Sequence, residues 1–229
     1  MLKLCVFRLR RFLQGNLIPI DRETDPAAGA LIEPFACVLR GQNAVDIRPG
    51  DVVLVFGAGP IGVMHIMLAR LRGASRVIVS EVLETRRLQA IQAGADRVVN
   101  PVQENLANVV LEESKGEGAD VIITAAPVHA VQQEALQLAA IGGRINYFGG
   151  LPKDKPTIVF DSNLVHYKEI RVTGTTACST DDCRQAAAIV NSGRIDLTAI
   201  VSGRFPLSQT VEAFAAAEDR TSLKIVVEP

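Results

Sequence analysis

Val52-Val53-Leu54-Val55-Phe56-Gly57-Ala58-Gly59-Pro60-Ile61-Gly62 is the stretch that decides the fold. An apolar run of strand length feeds three glycines spaced G-x-G-x-x-G, and an apolar helical pattern begins at once. That order is what a dinucleotide pyrophosphate needs. Gly57 permits the tight turn out of the strand, and Gly59, lacking a Cβ, lets the backbone approach phosphates closely. Gly62 lets the helix pack against the strand, whose end then aims the free N–H groups of the helix's first turn at the anion. Three glycines alone say little. Here the strand before them, the helix after them and an acid ending the next strand all agree.

Outward from this stretch the chain alternates strand and helix. Residues 51–56 read as a strand and 60–71 as its helix, closed by Gly73. Residues 76–80 are a second strand, and 83–93 a second helix stopped at Gly94, where a left-handed cap is wanted. A short strand at 97–99, a polar helix at 104–114, a strand at 120–124, a helix at 130–140 and a strand at 144–148 follow. Lys115-Gly116-Glu117-Gly118 and Gly142-Gly143 read as turns. Residues 157–160 and 169–174 read as further β segments, the second as a sixth strand of the sheet. Ser179 or Thr180 caps a helix to about Ser192, with Asp181 and Asp182 in its positive first turn. A helical pattern at 211–217 and a strand pattern at 223–227 close the chain. Such alternation predicts an α/β fold: a doubly wound parallel sheet of about six strands, helices on both faces.

Composition sets the outer limits. The 229 residues carry 24 basic and 25 acidic side chains, a net charge of -1 that offers no basic field for nucleic acid. Hydrophobic residues make up 48 % with no tryptophan and two tyrosines, the aliphatic core a buried parallel sheet requires. No segment has the uninterrupted apolar length of a membrane span. Residues 1–15 mix apolar side chains with Lys3, Arg8, Arg10 and Arg11, unlike the single apolar block of a signal peptide. The four cysteines, Cys5, Cys37, Cys178 and Cys183, form no C-x-x-C pair and are expected as reduced thiols in a cytoplasmic protein.

Glu81 ends the second strand, close to the ~20-residue separation at which an acid meets the adenosine ribose. A carboxylate there accepts from the 2′ and 3′ hydroxyls and repels a 2′-phosphate, which favours NAD over NADP. Arg86 and Arg87 just behind it could serve a 2′-phosphate and pull the other way. The ends of the later strands carry Ala125-Ala126-Pro127, Phe148-Gly149-Gly150 and Gly174-Thr175-Thr176, small enough to leave room for a nicotinamide ring.

Ala30-Leu31-Ile32-Glu33-Pro34, the Gly50–Gly62 stretch and Arg204-Phe205-Pro206-Leu207 together resemble the zinc-dependent medium-chain alcohol dehydrogenases, above all the sorbitol/polyol and threonine dehydrogenase branch. The resemblance runs from about Asn16 to Pro229. It implies that Gly57, Gly59, Pro60, Ile61, Gly62, Glu81, Arg86, Phe148, Gly149, Gly150, Gly174, Thr175 and Thr176 contact the coenzyme. It also implies that Glu33 sits at or near a catalytic zinc, as a ligand or through water. In such enzymes zinc lowers the pKa of a bound alcohol, and a hydride then passes to the nicotinamide.

The sequence also departs from that pattern. The family's main zinc ligands, a Cys and a His-Glu or His-Asp pair, come from a domain preceding the coenzyme domain, and here no histidine and a single cysteine, Cys5, precede Glu33. His65, His129 and His166 all lie beyond the first coenzyme strand, and Cys178 and Cys183 lack zinc-knuckle spacing. The expected organisation is therefore an unmatched leader at 1–15, a remnant of the substrate domain with its linker helix at 16–46, a coenzyme domain at 47–197, and a C-terminal segment at 198–229 that in the family returns to the substrate domain. A truncated, frame-shifted or late-started reading frame is one expectation from this pattern, with the zinc not retained and no catalytic residue assignable. The leading reading is the NAD-binding portion of an alcohol or polyol dehydrogenase, inactive alone. A non-catalytic NAD-binding module or subunit completed by a partner chain is the alternative, and a decayed gene product a third. Self-association or a complementing chain is expected from the apolar faces of 211–217 and 223–227, with 157–160 and 169–173 as edge strands for a two-fold dimer.

Overall fold

The computed structural model describes residues 17–219 and 221–229; the leader expectation at 1–15 lies outside them. Helices α1 (Pro26–Ala30) and α2 (Ile32–Ala44) lead into β1 (Val52–Phe56), α3 (Pro60–Leu71), β2 (Arg76–Ser80), α4 (Glu84–Gln92), β3 (Arg97–Val99) and α5 (Leu106–Glu113). Then come β4 (Ala119–Thr124), α6 (His129–Leu138), β5 (Ala139–Tyr147), α7 (Ser162–Tyr167), β6 (Arg171–Gly174) and α8 (Thr180–Asn191). A short 3-10 turn precedes β7 (Val201–Pro206), and α9 (Thr210–Glu218) and β8 (Lys224–Glu228) end the chain.

The six strands pair in parallel in the order β3-β2-β1-β4-β5-β6, as the alternation predicts. Side chains alternate across each strand, so one apolar run feeds two cores. Val53 and Val55 of β1 and Val121 and Ile123 of β4 join Ile66 and Ala69 of α3 on one face. Leu54, Phe56 and Ile122 point the other way, to Val109 and Val110 of α5 and Ala135 and Leu136 of α6. A third cluster joins α2 to α3 and α8, through Phe35, Val38 and Leu39 against Met64, Leu68, Ala186 and Val190.

Helix ends follow the local chemistry. Gly94 takes φ +100°, the left-handed cap that stops α4. Ser179 caps α8 in a capping box with Asp182. Two expectations are corrected. Residues 139–143, read as a helix end and a glycine turn, belong to β5, because Ala139 pairs with Ala119 and α6 runs straight into the strand. Residues 157–160 form no strand. Pro156 has no N–H to give, β6 already covers that side of β5, and the Val159 N–H donates to Gln133 Oε1 instead (3.0 Å). The edge-strand pairing expected there loses one of its two strands.

Strands β7 and β8 form a separate parallel pair with α9 beside them. Arg204 ties this unit to the start of the chain by bonding Asp25, the cap of α1 (3.0 and 2.5 Å), and Glu228 (2.9 Å). Phe214 and Val211 of α9 are 71 and 80 % exposed, as the apolar pattern of 211–217 leads one to expect. Near the sheet, Arg144 of β5 and Asp51 form a buried ion pair at 2.8 Å. The same guanidinium donates to the carbonyls of Val45 and Asp46, and Asp51 accepts from the Arg48 N–H (2.7 Å). This network fixes the bend that aims β1. Among the described residues, no helix is long and apolar enough to cross a membrane.

Candidate functional site

The glycine turn sits at the carboxyl end of β1, next to the point where the sheet order reverses, which is where ligands bind in open α/β sheets. Gly57 takes φ +92°, and a Cβ there would press on Ala126 at 3.3 Å. Gly62 has no alternative: a Cβ would lie 2.0 Å from the Gly57 carbonyl oxygen. Gly59 is the N-cap of α3 with no side chain to cap it, so that helix's leading N–H groups face outward. A Cβ at Gly59 would meet only the Arg86 guanidinium, at 3.7 Å.

A cleft of about 660 Å³ opens over this turn. Gly57, Gly59, Glu81 and Arg86 line it, with Ala125, Ala126 and Pro127 from the end of β4 and an apolar wall that includes Val82, Leu83 and Val128. Glu81 is buried, and its carboxylate is held by the backbone: the Ala58 N–H donates to Oε2 (2.8 Å) and the Leu83 N–H to Oε1 (2.9 Å). The acid thus locks the glycine turn onto the end of β2. Arg87 does not compete for the cleft, because it donates to the carbonyls of Glu81 and Val82 (3.3 and 2.6 Å).

The later strands supply a second floor. The Gly149 N–H donates to the Thr124 carbonyl (2.7 Å), and a Cβ on Gly149 would approach Ala126 at 3.2 Å. Gly150 has open space beside it, and a Cβ on Gly174 would meet only the Tyr147 carbonyl oxygen, at 3.8 Å. Phe148 turns inward, packing edge-on against His65 (centroids 4.7 Å apart) and over Gly41, where a Cβ would strike the ring at 2.8 Å. Asn146 connects Thr175 to α2 by donating to the Gly41 carbonyl (2.8 Å) and bonding the Thr175 hydroxyl (3.1 Å). Pro60, Ile61 and Gly62 lie behind the turn, with Ile61 packed against the cluster of α2 and α8. The glycine turn, Glu81 and Arg86 therefore share one cleft, while Phe148 and Gly174–Thr176 stand beyond its edge.

His65, inside α3, is fully buried, and burial, helped by the Arg72 charge, pushes its pKa down to about 3. It stays neutral and acts as a packing residue.

Glu33 opens a second constellation. It lies in the first turn of α2, and Cys37 follows it by four residues on the same helical face. Cys178, arriving just before the α8 cap, puts its sulfur 3.7 Å from Glu33 Oε1, the same distance as Cys37 Sγ. The donor atoms of Glu33, Cys37 and Cys178 all lie within 4.8 Å of one another, and Cys183 Sγ is 3.5 Å from Cys178 Sγ. Burial, with the neighbouring Cys178 and Glu33 adding to it, pushes the Cys37 thiol up to about 12 and the Cys183 thiol up to about 11. The i, i+4 spacing of Glu33 and Cys37 was the one visible signal; the approach of Cys178 and Cys183 comes from packing α8 on α2.

Comparison with known proteins agrees with this architecture. Residues 60–192 match the family model described as zinc-binding dehydrogenase. A probable alcohol dehydrogenase of Pseudomonas sp is 34 % identical over 75 % of the chain and 54 % of its own length. The sorbitol dehydrogenase of Bombyx mori is 31 % identical over 87 % of the chain and 57 % of its own, and the L-threonine 3-dehydrogenase of Thermococcus kodakarensis 31 % over 91 % and 59 %. The chain thus spans a little over half the length of these relatives. A Sinorhizobium meliloti 1021 protein assigned as a zinc-binding dehydrogenase, solved bound to NADP, superposes with a TM-score of 0.85 at 30 % identity, covering 92 % of this chain and 61 % of that one.

Proposed function

This chain belongs to the zinc-binding dehydrogenase family, and on that premise we propose that it is the coenzyme-binding portion of an NAD-dependent alcohol or polyol dehydrogenase. In this reading residues 47–197 bind the dinucleotide, and 16–46 and 198–229 belong with the substrate-binding part of the enzyme. The observation that carries the coenzyme assignment is Glu81, a buried carboxylate at the rim of the cleft, within one hydrogen-bonded step of the glycine turn.

The residues present fit the group. The uncapped first turn of α3 offers N–H donors to a pyrophosphate, and the bare face of Gly59 leaves it room. Two of the Glu81 lone pairs are taken by Ala58 and Leu83, leaving others for ribose hydroxyls. The apolar wall of Val82, Leu83 and Val128 suits an adenine ring. Gly149 lets its turn pack closely on Thr124 and Ala126, and Gly150 and Gly174 leave a floor for the nicotinamide half. When bound, NAD accepts the hydride and zinc acts as a Lewis acid on the alcohol oxygen. This chain's part is to hold the coenzyme in register; Glu33, with Cys37 and Cys178, has the donors to hold a metal.

Glu81 supports NAD over NADP, while Arg86 in the same cleft and the NADP of the Sinorhizobium protein support the reverse, so the test needs both coenzymes. The exposed Val211 and Phe214 support self-association or a complementing chain. The free thiols of Cys37, Cys178 and Cys183 suit a reducing compartment such as the cytoplasm. The test is thermal melting with each coenzyme. A ligand that binds only the folded state adds about 2.7 kcal/mol at a hundredfold excess over Kd. At about 2–4 °C per kcal/mol for a chain of this size, NAD is expected to raise Tm by about 5–10 °C and NADP by less. No shift with either coenzyme would overturn the assignment.

A further inference from the structure

We propose that Glu33, Cys37 and Cys178, with Cys183 at hand beside Cys178, form a thiolate-rich site for a soft divalent cation, zinc foremost. The resemblance to the family offers Glu33 alone for a metal; none of the three thiols belongs to the ligand set it implies. The inference does not rest on the coenzyme reading.

Geometry carries it. Ligands about 2.3 Å (sulfur) and 2.0–2.2 Å (oxygen) from a tetrahedral zinc stand about 3.5–3.8 Å from one another. The contacts here are 3.7 Å for Cys37 to Glu33, 3.7 Å for Cys178 to Glu33 and 3.5 Å for Cys178 to Cys183. Glu33, Cys37 and Cys178 thus offer three corners of such a polyhedron, their donor atoms all within 4.8 Å of one another, while Cys183 reaches the group through Cys178. The chemistry agrees, since two sulfurs and a carboxylate, with a third sulfur close by, select zinc over magnesium or calcium, which take oxygen ligands.

The support is rigid. Glu33 and Cys37 ride one face of α2, and Arg40 on the same helix reaches Asp182 of α8 at 3.3 Å. Asp182 in turn closes the capping box on Ser179, whose N–H and hydroxyl both donate to it (2.8 and 2.7 Å). That box fixes the chain directly after Cys178. Just before it, Ala177 takes φ +55°, a left-handed conformation that residues with a Cβ adopt rarely and that is kept only where the surroundings enforce it. The backbone thus turns at the residue directly before Cys178. Glu33 is exposed and the three cysteines are partly so, which gives an ion a path in.

The experiment uses the whole chain, reduced and stripped with a chelator, titrated with Zn²⁺ and separately with Co²⁺. One equivalent of metal per chain is expected. The cobalt form should show thiolate-to-metal charge transfer in the near ultraviolet and the intense visible bands of a tetrahedral ion. Cys178→Ser, which removes the donor shared by two of the three contacts, should weaken Zn²⁺ by at least about 100-fold, beyond the 10–100-fold typical of losing a supporting partner. Cys183→Ser should keep the metal with weaker charge transfer. Metal-free melting and circular dichroism of each variant separate ligand loss from misfolding. Substoichiometric metal, cobalt without charge transfer, unchanged affinity in Cys178→Ser, or thiols that only oxidise to a Cys178–Cys183 disulfide would each overturn the proposal.

Discussion

Replacing Glu81 with Gln tests the link between fold and coenzyme at a single atom pair. In the structure the two carboxylate oxygens each take one backbone N–H, from Ala58 at 2.8 Å and Leu83 at 2.9 Å, in a residue only 7 % exposed. An amide of the same shape offers one oxygen and one NH₂, so one of the two backbone donors faces another donor. A hydrogen bond to a charged group is worth about 1.5–3 kcal/mol, and at about 2–4 °C per kcal/mol the coenzyme-free chain should melt about 3–12 °C lower. The second effect is on selectivity. A unit charge 4 Å from another contributes about 1 kcal/mol in bulk water and about 4 kcal/mol at an effective dielectric of 20. Removing the carboxylate charge should therefore lower the NAD-to-NADP affinity ratio at least about fivefold. Differential scanning fluorimetry without coenzyme reads the first effect, and competition between NADH and NADP the second. An unchanged melting temperature would refute the lock between Glu81 and the glycine turn. An unchanged ratio would refute its position at the ribose.

Three further outcomes are expected. Gly62→Ala places a Cβ 2.0 Å from the Gly57 carbonyl oxygen, so the turn must move by more than 1 Å. That should cost about 1–3 kcal/mol and abolish coenzyme-dependent stabilisation, read by melting with and without NAD. Asp51→Asn leaves the buried Arg144 guanidinium without its counter-charge. It should cost about 3–5 kcal/mol in urea denaturation, and Asp51→Leu combined with Arg144→Met should recover part of that loss. His65 has its folded-state pKa depressed to about 3 from the 6.5 of a free imidazole. Its contribution to stability is complete above pH 6.5 and falls as the pH drops from there toward 3, because the unfolded chain takes up the proton first. The slope is about 1.4 kcal/mol per pH unit, or about 2–3 kcal/mol between pH 6.5 and 4.5. His65→Leu should flatten that part of the stability profile.

What was legible in the sequence follows from how local the signal is. β2 at 76–80, α3 at 60–71 and β3 at 97–99 could be read to the residue, because glycine and proline punctuate apolar runs there. Gly57, Gly59, Gly62 and Glu81 could be read as one site because their spacing is itself the geometry of a strand, a turn and a helix. Residues 139–143 could not, since Ala139 and Ala140 suit a helix end as well as a strand, and only pairing with Ala119 decides. The strand pattern of 157–160 goes unused because β6 takes the place beside β5 and the Val159 N–H turns to Gln133 instead. The thiols escaped notice for a different reason. Cys37 and Cys178 are far apart in sequence and meet only because Phe35 and Leu39 of α2 share a core with Ala186 and Val190 of α8.

The central claim, that this chain holds a nicotinamide dinucleotide on its glycine turn, is met most directly by a crystal structure grown with NAD. The account predicts the pyrophosphate at the first turn of α3 over Gly59 and the adenosine ribose hydroxyls on the Glu81 carboxylate. A saturating coenzyme bound elsewhere, or a cleft left empty at concentrations that raise Tm, would contradict it.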